Sequence, residues 1–286
     1  MLVRLFWHLL VYCRLDMFIA ELWYRRRWPP LRRLLPSPAL YDGRHRFTVR
    51  HGAKFRLSPV DLSQWNLYYH SQTRHLEMAL SQLEPASEGL IIDVGAHIGQ
   101  FTLPLARHFE KLHWNKSVMA FEPNPIVFTM LKRNLFLNKH LHRFVKLYQV
   151  GLGAEDTYME LYSPRKNTAN GSLVQITFRE PHDTFMVAIR RLDMIVKTRV
   201  DFIRISVQGF EYFVLRGATQ IIEKYRPTIY LETGAKQPHL QQILHLLIEL
   251  KYDLFSCIGG QLEPLDLRRP NSVNGCQVFL AKSQRG

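Results

Sequence analysis

Cysteine is scarce. Cys13, Cys257 and Cys276 are too few and too scattered for a disulfide framework, and without a CxxC pair they exclude a zinc cluster of the usual kind. Long apolar runs are also missing. The longest uncharged stretch near the start, Leu5 to Cys13, falls far below the roughly 20 residues that cross a bilayer. No small-residue cleavage site follows a clean apolar segment, so neither a membrane span nor a cleaved signal peptide is expected. Internal repeats and low-complexity tracts are absent, and no His/Asp/Glu cluster stands at ligand spacing, so no essential divalent cation is expected. A reducing cytoplasm is the compartment these absences fit best.

Lysine is missing from the first 50 residues, which hold ten arginines against Asp16, Glu21 and Asp42. Half of the formal charge of +14 therefore sits in the first fifth of the chain. Within it Leu2, Leu5, Phe6, Leu9, Tyr12, Cys13 and Met17 recur at spacings of three and four. That pattern predicts one amphipathic helix, ending in Arg25 to Arg27 and stopped by Pro29 and Pro30. Trp7, Phe18, Trp23 and Trp28 argue against plain solvation of this helix. It is expected to lie on an anionic inner leaflet, or to pack on the domain or a second subunit. Residues 1–40 are thus read as a basic helix with a proline-rich linker, and 41–286 as one domain.

Across that domain Phe47 to Leu57 alternates around Gly52 like a hairpin, and Leu62 to Leu83 reads as helix. The pattern continues as strand 90–95, helix 100–110, strand 117–122, helix 125–138 and strand 144–151. Tyr158 to Tyr162 and Val187 to Leu192 read as strands flanking an irregular loop, Asn167 to Ser172. Strand 201–207, helix 211–225, strand 228–232, helix 239–251 and strands 252–258 and 276–282 follow, with 259–275 as a hairpin-like connection. Such alternation predicts an α/β fold, a doubly wound Rossmann-like sheet with an N-terminal helical and hairpin extension.

The most informative stretch is Leu90 to Phe101, LIIDVGAHIGQF, where a buried strand turns into a helix through DxGxxxG. Gly95 and Gly99 are expected to let a ligand approach the backbone. A dinucleotide site would need GxGxxG to hold a pyrophosphate. An acid at Asp93 instead suits the cationic groups of S-adenosylmethionine. In the next strand, VMAFEPNP, the apolar run ends in Glu122, whose carboxylate can accept from both ribose hydroxyls before Pro123 and Pro125 stop the strand. The expected cofactor contacts are Asp93, Gly95, Ala96, Gly99, Phe121, Glu122, Pro123 and Gly151. The plainer reading of the two acids is a solvated strand end or a helix cap.

Five fragments now carry a family resemblance: IIDVGAHIGQFT, AFEPNPIVFTMLKRNLFLN, the GLG at Gly151 to Gly153, RRLDMI around Asp193, and VDFIRISVQGFEYFVLRGA from Val200 to Ala218. In this order, over roughly residues 47 to 235, the chain resembles the FkbM family of S-adenosylmethionine-dependent methyltransferases. The resemblance implies a class I methyltransferase sheet and methylation of a hydroxyl oxygen, often on sugars or on polyketide and glycan natural products; the abundant arginine and basic balance favour an anionic or lipid-linked acceptor, so a sugar, glycan or lipid-linked saccharide is expected. It also exposes a departure. Relatives typically read IKIDVEG where this chain reads IRISVQG, so Ser206 and Gln208 replace two carboxylates at a strand end and neither titrates near neutral pH.

The proton acceptor must then be sought among His97, Ser206, Gln208, Glu211 and Glu232. His97 stands where relatives more often carry asparagine, and an imidazole is chemically suited to the task. A hydrogen-bonding loop residue is the competing account of His97, and charge compensation at a helix start that of Glu211. Two rival functions follow: a pocket that keeps the cofactor with weak or lost turnover, and a nucleic-acid methyltransferase drawing on the net charge. Against the latter, the charge is concentrated in the leading apolar helix and no aromatic-rich recognition module is present, so no nucleic-acid partner is expected.

Overall fold

The computed structural model describes residues 2–26, 35–41, 43–70, 74–85, 88–174, 181–233, 238–258, 261–265 and 278–283. Helices α1 (Leu2–Tyr12) and α2 (Asp16–Arg26) lead into the hairpin β1 (Arg46–Arg50) and β2 (Ala53–Leu57), then α3 (Leu62–Tyr69) and α4 (Arg74–Gln82). The alternating part begins with β3 (Gly89–Val94), α5 (Thr102–Leu112), β4 (Lys116–Phe121), α6 (Pro125–Leu137) and β5 (Val145–Tyr148). After β6 (Gly151–Leu152), β7 (Thr157–Pro164), β8 (His182–Arg190) and α7 (Leu192–Ile195), it resumes with β9 (Val200–Ile205), α8 (Glu211–Arg216), α9 (Thr219–Tyr225) and β10 (Thr228–Glu232). Helix α10 (Leu240–Glu249) and strands β11 (Tyr252–Ile258), β12 (Gln261–Pro264) and β13 (Val278–Ser283) complete it.

Eight strands form one sheet in the order β12-β11-β13-β10-β9-β3-β4-β5. The pairs from β10 to β5 are parallel, and β13 runs antiparallel between β10 and β11. The chain steps outward from β3 in both directions, which is the doubly wound class I methyltransferase arrangement. It places every parallel strand's carboxyl end on one edge. Successive residues of β3 serve opposite faces: Ile91 joins the core beneath α3 to α6, whereas Leu90, Ile92 and Val94 join the one beneath α8 to α10. That two-sided burial explains why these strands are continuous apolar runs.

Several elements divide where the sequence predicts continuity. The N-terminal helix breaks at Arg14, which takes a left-handed φ of 61° while Leu15 N–H reaches back to Leu10 O at 2.8 Å. Asp16 then turns inward, its Oδ2 3.1 Å from Nε of the buried Arg46. The 211–225 helix splits because Asp193 caps its second half, accepting from Gln220 N at 3.2 Å and Ile221 N at 3.0 Å. A Cβ on Gly217, at the break, would stand 1.9 Å from Gly153 O, so the glycine lets two backbones cross. The strand expected over 144–151 divides between two sheets, β5 on the main sheet and β6 beside β8 in a three-stranded one. Helix 62–83 becomes α3 and α4; residues 71–73 lie outside the described residues. So do Arg27, Trp28, residues 29–34 of the linker, and Cys276.

Candidate functional site

At the carboxyl edge of β3, β4, β9 and β10 lies a cavity of about 170 Å³. Of the expected residues, Gly95, His97, Phe121, Glu122, Pro123, Gly151, Ser206, Gln208 and Glu232 line it. Asp93, Ala96, Gly99 and Glu211 do not. The reasons lie in the turn after β3. Gly95 N and Ala96 N both donate to Phe121 O at 3.0 Å, so these amides fasten the turn to β4 rather than face a ligand. Gly95 has φ 80°, and a Cβ there would stand 2.1 Å from Ser206 O. Gly99 has φ 91°, and its Cβ would meet Leu131 Cδ1 at 2.8 Å. Both glycines are demanded by the packing of the protein on itself.

Asp93 corrects the reading of a cofactor-binding acid. It is fully buried, accepting from Thr102 Oγ1 at 2.5 Å and from Arg204 Nη1 at 2.8 Å. Arg204, from the neighbouring strand, also forms a two-pronged pair with Glu232, Nε to Oε1 at 3.0 Å and Nη2 to Oε2 at 3.1 Å. His75 Nδ1 approaches Glu232 Oε1 at 2.7 Å. Burial works to raise the Glu232 carboxyl, but Arg204 and His75 outweigh it and hold the group well below the usual carboxylate range. Burial likewise opposes the charge on Arg204, and Glu232 and Asp93 more than restore it. Glu232 therefore lines the cavity as half of an ion pair, with both of its oxygens already engaged.

Glu122 is different. Among the described residues its carboxylate accepts backbone N–H groups only, Oε2 from His97 N at 2.9 Å and Oε1 from Asn124 N at 2.9 Å. Burial pushes its pKa up to about 7; those two N–H donors pull it down, and the charge on Asp93 adds to the rise. Each oxygen has a further lone pair, so the group can still accept from two hydroxyls.

A chain that the sequence reading missed fixes His97. Asp61, the N-cap of α3, accepts on Oδ2 from both Thr168 N at 2.7 Å and Thr168 Oγ1 at 2.8 Å. Because the Thr168 hydroxyl gives its one hydrogen to Asp61, it must accept from His97 Nε2, 2.9 Å away. The imidazole is thereby set as the Nε2–H tautomer, leaving Nδ1 with a bare lone pair that is buried and has no hydrogen-bond partner among the described residues. Burial drives the His97 pKa down to about 4; Asp61 opposes the shift and Arg204 adds to it. His97 is neutral at physiological pH and has a left-handed φ of 51°, a conformation the turn imposes on a non-glycine residue.

The remaining candidates divide by role. Ser206 and Gln208 border the cavity, Gln208 with a positive φ of 54°. Glu211 is fully buried behind them and accepts from Val207 N at 3.2 Å and Gly209 N at 3.0 Å, so it holds the turn that presents them and does not touch the cavity itself. Arg204, Thr168 and Gln100 line the cavity without having been expected there. Arg204 carried a signal, a charged residue between the apolar Ile203 and Ile205 of β9. Among the described residues no group of three or more His, Cys, Asp or Glu side chains is placed to hold a metal ion.

Residues 93–254 match the family model described as the methyltransferase FkbM domain. Methyltransferase 1 of Beauveria bassiana is 28% identical over 151 residues, 46% of this chain and 58% of that protein. Methyltransferase sdnD of Sordaria araneosa is 27% identical over 199 residues, 59% of this chain and 75% of its own length. The crystal structure of methyltransferase FkbM from Methylobacillus flagellatus is 15% identical with a TM-score of 0.48, over 70% of this chain and 45% of that one. The chain thus spans less than two thirds of the first fungal relative and under half of the bacterial protein.

Proposed function

The chain belongs to the FkbM methyltransferase family, and on that premise we propose that it is an S-adenosylmethionine-dependent O-methyltransferase whose proton acceptor is His97. The observation that carries this reading is the bare Nδ1 of a neutral histidine whose ring lines the same cavity as Glu122. The cavity suits the cofactor. Glu122 would take the ribose hydroxyls, and Phe121, Pro123 and Gly151 would flank the base. When bound, S-adenosylmethionine supplies an electrophilic methyl group on a cationic sulfonium.

The protein's own residues supply placement and proton transfer. Ser206 and Gln208 offer neutral polar groups at the strand end, suited to orienting an acceptor hydroxyl. The proton of the acceptor hydroxyl would pass to His97 Nδ1 as the methyl group left the sulfonium, leaving a thioether, and the resulting imidazolium would be supported by Asp61 through Thr168. His97 thus takes over the work lost with the two carboxylates replaced by Ser206 and Gln208, which favours a working enzyme over a dormant pocket. The acceptor we propose is a sugar hydroxyl, on a glycan or a lipid-linked saccharide.

The test uses S-adenosylmethionine labelled on the methyl group, incubated with the full chain and a cell-envelope glycan fraction. Label should enter carbohydrate and survive mild base, as a methyl ether does and a methyl ester does not. His97→Ala should reduce the rate by roughly 10²- to 10⁴-fold while still binding cofactor. Base-labile label, label confined to protein or RNA, or an unimpaired His97→Ala variant would overturn the reading.

A further inference from the structure

Helices α1 and α2 present two faces. The inner face docks on the domain: Trp7, Val11 and Ala20 are buried, Asp16 pairs with Arg46, and Glu21 Oε2 lies 3.1 Å from Arg50 Nη1. The outer face is apolar. Leu5, Phe6, Leu9 and Tyr12 on α1, Leu15 in the turn, and Phe18 and Leu22 on α2 are between 46% and 75% exposed. Spacings of three and four within each helix put these side chains on one side. Among the described residues, 17 large apolar side chains are exposed; seven fall within residues 5–22 and the other ten are scattered from Phe47 to Ile248. A concentration of exposed apolar side chains of this kind marks an interaction surface.

Charge selects the partner. Asp16 and Glu21 are the only acids within the two helices, and Arg46 and Arg50 engage both from inside the fold. By composition the segment is strongly basic: beside one further acid, Asp42, the first 50 residues hold eight further arginines. Of these, Arg14 is exposed in the turn between the helices, and Arg44 is exposed with its guanidinium 5.5 Å from the Tyr12 ring. Large apolar side chains flanked by arginine match the boundary between acyl chains and anionic headgroups, where guanidinium groups pair with phosphate. Neither helix is long and apolar enough to cross a membrane.

We propose that the α1–α2 face docks on the surface of a bilayer containing anionic lipid, with the two helices lying in the plane of the interface. A docking contact that accounted for the helices through the domain alone would leave this outer face unexplained. The inference is independent of the methyl-transfer reading and needs no cofactor.

The experiment is co-sedimentation of the full chain with phosphatidylcholine vesicles, with and without phosphatidylserine. Binding should rise at least tenfold with phosphatidylserine and weaken at 0.5 M salt. The triple variant Phe6→Ser, Leu9→Ser, Phe18→Ser should lose at least tenfold of it. Equal binding by that variant, or none by the wild type, would overturn the proposal. So would a wild-type dimer, seen by sedimentation velocity, that the triple variant dissolves. Should the variant fail to fold, Cys13 provides a second readout: it is exposed in the α1–α2 turn, whereas Cys257 is buried. With Cys276→Ser in place, an environment-sensitive dye on Cys13 should shift to the blue on adding phosphatidylserine vesicles; an unchanged spectrum contradicts docking.

Discussion

Two parts of one strand edge treat charge in opposite ways. Along β3, β9 and β10 the buried charges answer one another: Asp93 and Glu232 grip Arg204 from either side, and His75 backs Glu232. One strand further out, at β4, Glu122 meets only backbone N–H groups among the described residues, and burial lifts its pKa to about 7. Both acids end apolar strands in family motifs, yet one is spent on holding the sheet edge together and the other faces the cavity. A carboxylate satisfied by an arginine has little left to offer a ligand, whereas one that is underpaired gains from any donor that arrives.

The sharpest way to break this contrast is Arg204→Met. It leaves the buried Asp93 and the half-buried Glu232 without their shared counter-charge, and a loss of about 3–5 kcal/mol in urea-induced unfolding is expected. A loss below about 1 kcal/mol would mean that the three groups are not the closed network described. A smaller effect is expected at Thr168→Val, which removes the hydroxyl between Asp61 and His97. The rate at saturating substrates should fall about tenfold with cofactor affinity unchanged, and Thr168→Ser should restore it. Equal loss in the serine variant would assign Thr168 to packing alone.

The mildest test is the pH profile. His97, with its pKa lowered to about 4, stays unprotonated from pH 8 down to 5, so the rate at saturating cofactor should show no acid limb from this group in that window. Glu122 takes up a proton as pH falls through about 7, so the rate at low cofactor concentration should drop several-fold between pH 8 and 6. A limb near 6.5 in the saturated rate would show His97 to be an ordinary exposed imidazole.

Much of this was legible in the sequence, for a local reason. A strand buried on both faces is a short apolar run, so β3, β4, β9 and β10 announced themselves, and Glu122 was marked by its place between such a run and Pro123. What escaped depends on partners far along the chain. Whether Asp93 faces a ligand or the sheet is decided by Arg204, 111 residues later. The setting of His97 depends on Thr168 and Asp61, from a loop and a helix cap that no linear motif connects. Glu211 looked like a helix-start charge or a base; its two backbone bonds to the 207–209 turn exist only once that turn has folded back over α8. The break at Arg14 was hidden because the apolar spacing runs on through it, while the inward pull of Arg46 on Asp16 comes from a strand 30 residues away.

The central claim is that the underpaired carboxylate at the end of β4 holds the cofactor. Calorimetric titration of the full chain with S-adenosylmethionine, repeated on Glu122→Ala, tests it before any acceptor is known. The account predicts saturable one-to-one binding by the wild type and affinity at least tenfold weaker in a variant that remains folded. Binding of equal strength by the two proteins, or none by the wild type, would contradict it.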